Sequence, residues 1–380
     1  MIDLQISRDK IDKIDNEIVR LFEERMKVCE AVAEYKIETG KQVLDVVREH
    51  NKIKTLRGKA HGEFNELGTQ ELFEQIMAIS RKRQYQLLTE HGIRQEASFD
   101  KISELEKENA HVVYQGVPGA YSYAAMRKFF GKNVESHNVK TWRQALEDVA
   151  HKNADYAVLP IENSTAGIVS EMYDLLTEYN LFIVGEEVLR VDHVLLGMPD
   201  ADIDGIKEVY SHPQGLAQCR GFLEQHLDWN TNEVVNTAIA AKNVREDNDR
   251  THAAIASRDA GELYELKILA EDICNNKWNF TRFIVVGKQP VFEEKSDKIS
   301  ICFELPHERG TLYNMLSHII YNGLNMTKIE SRPMPGRPWE YRFFVDFNGN
   351  LSDSAVINAL RGLEAETNKL QIFGNYISKE

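Results

Sequence analysis

The feature that most constrains this chain is a proline-free stretch over residues 1–90 whose apolar residues recur every three or four positions. This spacing predicts a long amphipathic helix at the start of the chain. Arg8, Arg25 and Lys36 occupy positions on the same apolar stripe. One such cation could extend its charged end to solvent, but three indicate an anion site, because burying unpaired charge is costly. The apolar members of the stripe are Leu4, Ile11, Ile14, Ile18, Leu21, Val28 and Val32.

Helix geometry separates the three cations into two groups. Arg8 and Arg25 lie about 25 Å apart along a helix that rises about 1.5 Å per residue, and no small ligand spans that distance. Arg25 and Lys36 lie about 16 Å apart by the same rise, so their long side chains can reach one ligand. Arg8 is therefore expected to serve a site built elsewhere, most simply in a symmetric partner. The spacing predicts a homodimer or a higher homo-oligomer.

Two further helices are predicted in this segment, the second starting near residue 45 and the third capped by Thr69. Three charged residues share one face of the second helix at spacings of three and four, which by itself is typical of a solvated salt-bridge cluster. Two polar residues follow an apolar stripe of the third helix. These five residues are Asp45, Arg48, Glu49, Ser80 and Gln84.

In type and spacing, eight residues of this segment resemble the active-site set of the all-helical chorismate mutases. The resemblance covers essentially the whole of residues 1–92, which we expect to form one all-α domain. It implies that two interlocked chains form each site and that the first arginine crosses the dimer. The eight residues are Arg8, Arg25, Lys36, Asp45, Arg48, Glu49, Ser80 and Gln84.

The reaction of that family, a Claisen rearrangement of a dicarboxylate, needs no nucleophile and no metal. It needs the compact substrate conformer held in place, and donors where the breaking ether oxygen gains charge. The resemblance implies that Arg25 and Arg8 of the partner subunit bind the two carboxylates of chorismate. Lys36 and Gln84 would then face the ether oxygen, and Glu49 the ring hydroxyl.

Composition limits the classes of function. The 380 residues carry a formal net charge of −14, and no basic patch offsets it, so we expect no nucleic-acid partner. The four cysteines form no CxxC pair, which argues against a disulfide framework or a zinc site and favours a reducing compartment. The N-terminus does not resemble a signal peptide, and the apolar runs are of strand length. We therefore expect a cytoplasmic protein that uses no membrane, cofactor or metal.

From about residue 111 the pattern changes to short apolar strands, each followed by a small polar turn and a helix. This order is typical of an α/β domain with mainly parallel strands, in which ligands bind at the carboxyl ends of strands. Two charged stretches, 91–110 and 289–297, are interpreted as linkers on either side. Taken singly, each turn is most often a helix cap, and the dinucleotide-binding glycine spacing is absent.

Together, these turns resemble prephenate dehydratases over about 111–288. The most specific marker is the Thr-Arg-Phe motif within Asn279–Phe283. The resemblance implies two subdomains with a cleft between them, like a small periplasmic-binding-protein core, over residues 110–288. The other markers are Gly119–Ser122, Pro160–Ser164 and Ser211–Gln214.

Prephenate loses a ring hydroxyl and a carboxylate together, so the enzyme must donate a proton to the leaving hydroxyl and bind both carboxylates. The resemblance implies that Thr281 is the donor or positions it, with Glu162 and His212 as rival sources of the proton. The remaining residues would bind substrate. They are Ser122, Asn163, Ser164, Gln214, Thr237, Arg282 and Phe283.

The tail, residues 298–378, is predicted to fold as strand–helix–strand–strand–helix–strand, a ferredoxin-like α+β arrangement. Glu330–Pro333, placed just after the second predicted strand, resembles the phenylalanine-binding motif of ACT domains attached to these dehydratases. A second motif is kept in part, with Gly310 and Leu312 retained. The resemblance implies that paired ACT domains bind phenylalanine between subunits and that this effector inhibits the enzyme, each ligand weakening binding of the other. The regulatory candidates are Gly310, Leu312, Glu330, Ser331, Arg332 and Pro333.

The whole chain thus resembles a multidomain, bifunctional chorismate mutase–prephenate dehydratase with a C-terminal phenylalanine sensor. Two alternatives stay open at this point. The dehydratase could prefer arogenate, against which the fused mutase argues because its product would be prephenate. The chain could also be a non-catalytic sensor, against which the mutase residues and the Asn279–Phe283 motif argue.

Overall fold

The computed structural model describes residues 3–93, 99–305, 307, 310–334 and 336–379. The chain divides into two compact units. One contains Met1–Ala97 and Ile301–Gln371, and the other contains Ser98–Ser300 and Ile372–Glu380. Within the described ranges, every helix is too short or too polar to cross a membrane.

The first segment is helical, as the apolar spacing predicts. The carboxylate of Asp3 caps the first helix by accepting the N–H groups of Gln5 and Ile6, and Gly40 ends it in the left-handed conformation at a φ of 67°. The three helices are α1 (Leu4–Thr39), α2 (Val46–Arg57) and α3 (Glu63–Glu90).

The start of α3 differs from the prediction that Thr69 caps it. The helix begins seven residues earlier, after Gly62, and Thr69 lies inside it. Glu63 and Glu66 occupy its first turn, where negative charge is favoured by the helix dipole, so the earlier start is favourable. The predicted apolar stripe of α1 is exposed along its length, with values between 43% at Val32 and 62% at Leu4, and Ala33 is the buried residue of this helix.

The second unit holds two sheets, each flanked by helices. The strands of these sheets are β2 (His111–Gln115), β3 (Glu135–Val139), β4 (Tyr156–Asn163), β5 (Gly167–Ile168), β6 (Phe182–Arg190), β7 (His193–Gly197), β8 (Glu208–Ser211), β9 (Asn230–Glu233), β10 (His252–Ser257), β11 (Lys267–Ala270) and β12 (Phe280–Gly287). One sheet has the order β3-β2-β4-β12-β6, with β5 paired to β4, and the other has the order β11-β7-β10-β8-β9. The helices are α4 (Tyr121–Phe130), α5 (Trp142–Ala150), α6 (Ser170–Tyr179), α7 (Pro213–Gln218), α8 (Arg220–Leu223), α9 (Thr237–Asp247) and α10 (Arg258–Leu263), with a 3₁₀ turn at Ile203–Gly205.

This connectivity confirms the two-subdomain α/β architecture. The chain leaves the first sheet after β6, builds the second from β7 to β11, and returns through β12. The sheets are mixed, whereas mainly parallel strands were expected. The returning β12 runs antiparallel to both of its neighbours, β4 and β6, because it re-enters the first sheet from the second one.

The two stretches interpreted as linkers contain paired strands, so that interpretation is wrong for the described residues. In a parallel pair, β1 (Asp100–Ile102) aligns with β13 (Val291–Glu293), Asp100 lying opposite Val291. Phe99 and Phe292 are buried. The few apolar residues in each charged stretch are enough to anchor it on the core of the first sheet. Residues 94–98 lie outside the described residues.

The C-terminal segment has the ferredoxin-like order that the sequence predicts, with sheet order β15-β16-β14-β17. The second strand extends through Glu330–Pro333, which was expected just after it. Pro333 is tolerated because β15 is an edge strand, where a missing N–H breaks no ladder between two neighbours. The elements are β14 (Lys298–Glu304), α11 (Thr311–Tyr321), β15 (Met326–Met334), β16 (Arg337–Asn348), α12 (Ser354–Glu366) and β17 (Lys369–Tyr376).

Candidate active sites

One large cavity, of about 1370 Å³, lies among the three N-terminal helices. Seven of the eight residues expected from the sequence line it, and the eighth, Arg8, is exposed and is not among the lining residues. The residues come from all three helices and from the turn that precedes α2. The seven are Arg25, Lys36, Asp45, Arg48, Glu49, Ser80 and Gln84.

Lys36 and Gln84 are brought into contact at one side of this cavity. The Lys36 ammonium donates to the Gln84 Oε1 at 3.1 Å and to the backbone oxygen of Val43 at 2.6 Å. Burial lowers the pKa of Lys36, and the nearby carboxylates of Glu49 and Asp45 oppose that effect. The cation is therefore held in place by neutral acceptors, which leave its charge available to a ligand.

Arg25 is fixed from the facing helix. Its guanidinium donates to the Ser80 hydroxyl, which in turn donates to the backbone oxygen of Ile76 at 2.7 Å. A second, longer contact joins Arg25 to the sulfur of Cys29 at 3.6 Å. Ser80 is 4% exposed, so its place on an apolar stripe is explained by this bond to Arg25.

The three charged residues expected to share a face of the second helix, Asp45, Arg48 and Glu49, form no ion pair with one another. Asp45 caps the helix, accepting the backbone N–H of Arg48 at 3.0 Å. Glu49 pairs instead with Arg81 on α3, at 2.5 Å between Oε2 and Nη1.

Arg81 is a cavity residue that sequence reasoning missed. Its side chain is 8% exposed and pairs with Glu49 and, through Nε at 2.7 Å, with Glu366. Burial alone would lower the pKa of Arg81, but the two carboxylates outweigh it and raise the pKa. No local pattern could identify this residue, because its second partner lies 285 positions later in the chain.

In the second unit, the strand pair β4–β12 aligns the predicted dehydratase residues. Thr281 lies opposite Asn163, whose Nδ2 donates to the Thr281 hydroxyl oxygen at 2.8 Å. The same amide nitrogen contacts Asn279 Oδ1 at 2.8 Å. Because the Thr281 oxygen accepts this bond, its own proton is directed elsewhere.

Arg282 and Phe283 follow Thr281 in different environments. Arg282 pairs with Glu162 at 3.1 Å and with the fully buried Glu186 at 3.4 Å. Phe283 is 2% exposed and packs in the core of the first sheet, so it supports the strand from beneath. Only the first of these side chains therefore carries charge into the neighbourhood of Thr281.

A cavity of about 280 Å³ lies beside this strand pair. Gln214 lines it together with Asn279, which contacts Asn163. None of the other predicted dehydratase residues, all of which are described, is among its lining residues: they are Ser122, Glu162, Asn163, Ser164, His212, Thr237, Thr281, Arg282 and Phe283. The other residues around it are Thr165, Ala166, Ala217, Gln218, Cys274, Asn275 and Asn276.

Several residues predicted to bind the dehydratase substrate instead make hydrogen bonds to the protein backbone. His212 caps α7 by accepting the Gln214 N–H on Nδ1 at 3.2 Å. The Ser164 hydroxyl joins two backbone groups, the Trp278 oxygen and the Phe280 N–H, each at 2.9 Å. These bonds shape the loops around the smaller cavity.

Two of the predicted substrate ligands lie at helix starts. Ser122 is buried in the first turn of α4. Thr237 begins α9, and its methyl group lies so close to Gly215 that a Cβ there would be 3.3 Å away. A Cβ at Gly215 would also lie 2.6 Å from the hydroxyl oxygen of Ser211, so the packing of α7 against β8 requires glycine at that position.

A buried hydrogen-bonded chain beside the smaller cavity was also missed. The Tyr121 hydroxyl lies 3.1 Å from Nδ1 of His193, whose Nε2 lies 2.9 Å from Oε1 of Gln218. Burial lowers the pKa of His193 and raises that of Tyr121 well above its usual range. A neutral imidazole that accepts from Tyr121 and donates to Gln218 satisfies both bonds, and it orients the Gln218 amide at the cavity wall.

The predicted regulatory residues lie on two elements of the C-terminal fold. Gly310, at a φ of 80°, is the cap that precedes α11. Glu330 and Arg332 share the half-buried face of β15, whereas Ser331 and Pro333 share its exposed face. Leu312 is half-buried in the first turn of α11.

Fold and site together define a two-site enzyme: a helical, cation-lined cavity and a two-subdomain α/β domain with a polar strand-end site. Family comparisons agree, with the chorismate mutase type II model matching residues 7–85 and the prephenate dehydratase model matching 112–291. A bifunctional chorismate mutase/prephenate dehydratase of Aquifex aeolicus is 34% identical over 380 residues, covering 99% of this chain and 98% of the relative.

Two solved structures each resemble about 70% of the chain. A prephenate dehydratase from Arthrobacter aurescens, in complex with L-Phe, matches with a TM-score of 0.64 and 31% identity over 70% of this chain and 90% of that one. GqqA, described as a novel type of quorum quenching acylase, matches with a TM-score of 0.65 and 32% identity over 71% of this chain and 98% of that one.

The chain belongs to the family of bifunctional chorismate mutase/prephenate dehydratases. It carries both activities, rearranging chorismate to prephenate and converting prephenate to phenylpyruvate by loss of water and carbon dioxide.

Proposed function

We propose that the cavity of about 1370 Å³ is the mutase site and that Arg8 of the partner subunit completes it. The observation that carries this proposal is that seven of the eight expected residues line one cavity while Arg8 does not. The exposed stripe of α1 supplies an apolar face on which a second copy could pack. The proposed assembly is a homodimer, in which each α1 donates Arg8, near its N-terminal end, to the other site.

In this site, Arg25 and Arg8 of the partner subunit bind the two carboxylates and so hold the compact substrate conformer. Lys36 and Gln84, already in contact, face the breaking ether oxygen and stabilise the charge that develops there. Glu49 accepts a hydrogen bond from the ring hydroxyl of the substrate. Asp45 and Arg48 shape the wall between α1 and α2.

Complementation between two inactive variants tests the shared site. Arg8→Ala and Lys36→Ala each remove one half of the site, and each should inactivate the mutase. When the two variants are co-expressed, a mixed dimer has one site with both residues intact. We expect about one quarter of the wild-type mutase activity from random pairing of two chains. Persistent inactivity of the mixture, with mixed dimers shown to form, would mean that Arg8 acts within its own chain. An active Arg8→Ala variant would mean that Arg8 does not act in the mutase site.

For the dehydratase, with domain limits of about 110–288, we propose that Thr281 delivers the proton to the leaving hydroxyl. The bond from Asn163 supports this role, since an oxygen that accepts a hydrogen bond becomes a better donor of its own proton. The rivals are less suited. Glu162 is already engaged in an ion pair with Arg282. His212 already uses Nδ1 to accept the Gln214 N–H as the cap of α7.

Substitution separates these three candidates. Thr281→Ser should keep much of the dehydratase turnover, whereas Thr281→Ala should lose about 10²-fold or more, in the range of lost general acid catalysis. Glu162→Gln and His212→Asn should be milder. Mutase activity, measured on the same samples, reports whether each variant is folded. Near-normal dehydratase turnover of Thr281→Ala would exclude Thr281 as the donor.

We further propose that residues 298–378 bind phenylalanine and inhibit the enzyme. The complex of a related dehydratase with L-Phe supports this ligand, and the cap at Gly310 and the Glu330–Pro333 strand supply the candidate residues. Calorimetric titration with L-phenylalanine should show binding that Arg332→Ala weakens, and prephenate turnover should fall as sites fill. The four free cysteines suit a reducing compartment, so the proposed location is the cytoplasm.

A further inference from the structure

We propose that Arg81 positions Glu49 in the mutase cavity and that Glu366, on the last helix of the C-terminal fold, holds Arg81 in place. The C-terminal fold would then be part of the mutase site. This inference rests on the role of Glu49 given under the proposed function.

The contacts form one continuous chain of charges. Arg81 directs Nη1 to the Glu49 Oε2 at 2.5 Å and meets Glu366 at two points, Nε–Oε1 at 2.7 Å and Nη2–Oε2 at 3.1 Å. A guanidinium held by two parallel bonds has a fixed plane. The remaining bond therefore fixes where the Glu49 carboxylate lies.

Glu366 is itself held on its other side. The Nε2 of His318, on α11, lies 3.2 Å from Oε1 of Glu366, and His318 is 1% exposed. The His318 ring fits against α12 only because position 362 is glycine, where any Cβ would overlap the ring. Neither His318 nor Glu366 can move without disturbing a packed helix pair, so Arg81 has an immobile anchor.

The same face of α3 makes further bonds to the C-terminal helices. Lys82 donates to the Ser317 hydroxyl at 2.8 Å. The Thr89 hydroxyl donates to Asn358 Oδ1 at 2.6 Å. The contact between α3 and these helices therefore extends over two helical turns. Arg81 is the residue of this contact that also lines the cavity.

Glu49 needs such a restraint because of its neighbours. Lys36 lines the same cavity and is attracted to Glu49. A carboxylate without Arg81 could turn toward Lys36 and engage the cation that faces the ether oxygen. Misplacement of a reacting group by about 1 Å can cost about 10²-fold in rate, so a positioning residue of this kind has a measurable effect.

The test uses the full-length protein and measures both activities on each sample. Arg81→Leu should lower mutase kcat/KM by about 10²-fold, and Arg81→Lys should recover part of the loss. Glu366→Gln keeps the shape but loses the charge, and should lower mutase kcat/KM by about three- to tenfold. The double variant should be no worse than Arg81→Leu alone, because Glu366 acts through Arg81.

Arg83→Leu is the matched control. Arg83 lies on the same helix and also pairs with two carboxylates, those of Glu30 and Glu90, but it does not line the cavity. Its substitution should leave mutase kcat/KM within about twofold of wild type, as expected for exposed ion pairs. Dehydratase turnover of prephenate should be unchanged in every variant and shows that the chain is folded.

The outcomes separate this inference from the one beneath it. A mutase that tolerates Glu49→Gln would overturn the proposed role of Glu49, on which this inference rests. If Glu49→Gln inactivates the mutase while Arg81→Leu keeps kcat/KM within about twofold of wild type, the role of Arg81 alone would be overturned. Should Arg81→Leu lose both activities through misfolding, Arg81→Lys and Glu366→Gln decide, and normal mutase kinetics in both would refute the inference.

Discussion

The charge on Glu366 should contribute measurably to stability, and its contribution should vanish in acid. Burial raises the pKa of this carboxyl, but the His318 hydrogen bond and the Arg81 charge outweigh it and lower the pKa from 4.5 to about 2. At about 1.36 kcal/mol for each pKa unit, the difference is about 3 kcal/mol. A carboxyl with a lowered folded-state pKa stabilises the protein above about pH 4.5, and this contribution is lost as pH falls toward about 2.

The assay is urea unfolding of the wild type and Glu366→Gln at a series of pH values. We expect Glu366→Gln to lower the free energy of unfolding by about 3 kcal/mol at pH 6, and by about 1.4 kcal/mol at pH 3, where the carboxyl of the unfolded wild-type chain is already protonated. Glu71→Gln is the control, since Glu71 is exposed on α3. A difference below about 1 kcal/mol at pH 6, or one that stays constant down to pH 3, would refute the reasoning.

Three further predictions concern other parts of the molecule. Burial lowers the pKa of Lys36 from its usual 10.5, so the ammonium should lose its proton, and mutase kcat/KM should fall, at a pH below 10.5. The Lys36→Arg variant should be slower, but its kcat/KM should not change with pH over the same range of a pH–rate profile. Gly362→Ala should destabilise the protein by about 1–3 kcal/mol in thermal or urea unfolding, since the new methyl overlaps His318; an unchanged midpoint would contradict this packing. Ile18, on the apolar stripe of α1, is 51% exposed, and Ile18→Lys should weaken the dimer by about 2 kcal/mol or more in sedimentation experiments. Mutase activity should return at high protein concentration. An unaltered assembly would place the interface elsewhere.

The cation-bearing stripe of α1 shows what could be predicted well. Helical periodicity is a local property, so the positions of Arg25 and Lys36 on one face follow from their spacing. The rise per residue also separated Arg8 from them, and the structure agrees that Arg8 does not line the cavity. The ferredoxin-like order of the C-terminal segment was predictable for the same reason, because its strands and helices alternate in a regular pattern.

The predictions that were wrong involve pairing between distant segments. The charged stretches around Asp100 and Val291 lack a strong strand pattern of their own, and each becomes a strand only because the other lies beside it. The same holds for β12, whose antiparallel direction depends on how the chain returns from the second sheet. Strand identity in these cases depends on the neighbouring strand more than on intrinsic preference.

By itself, the sequence determined local patterns and the chemical groups that they present: three helices, short strands followed by turns and helices, a ferredoxin-like tail, and cations where a core was expected. Tertiary structure alone decided which of those groups meet. In the sequence, nothing distinguishes Arg81 from other helical arginines. In the structure, α12 places Glu366, 285 positions later in the chain, against it. The physical reason is that periodicity and capping act within a few turns, whereas a buried ion pair exists only where packing has excluded water from both partners.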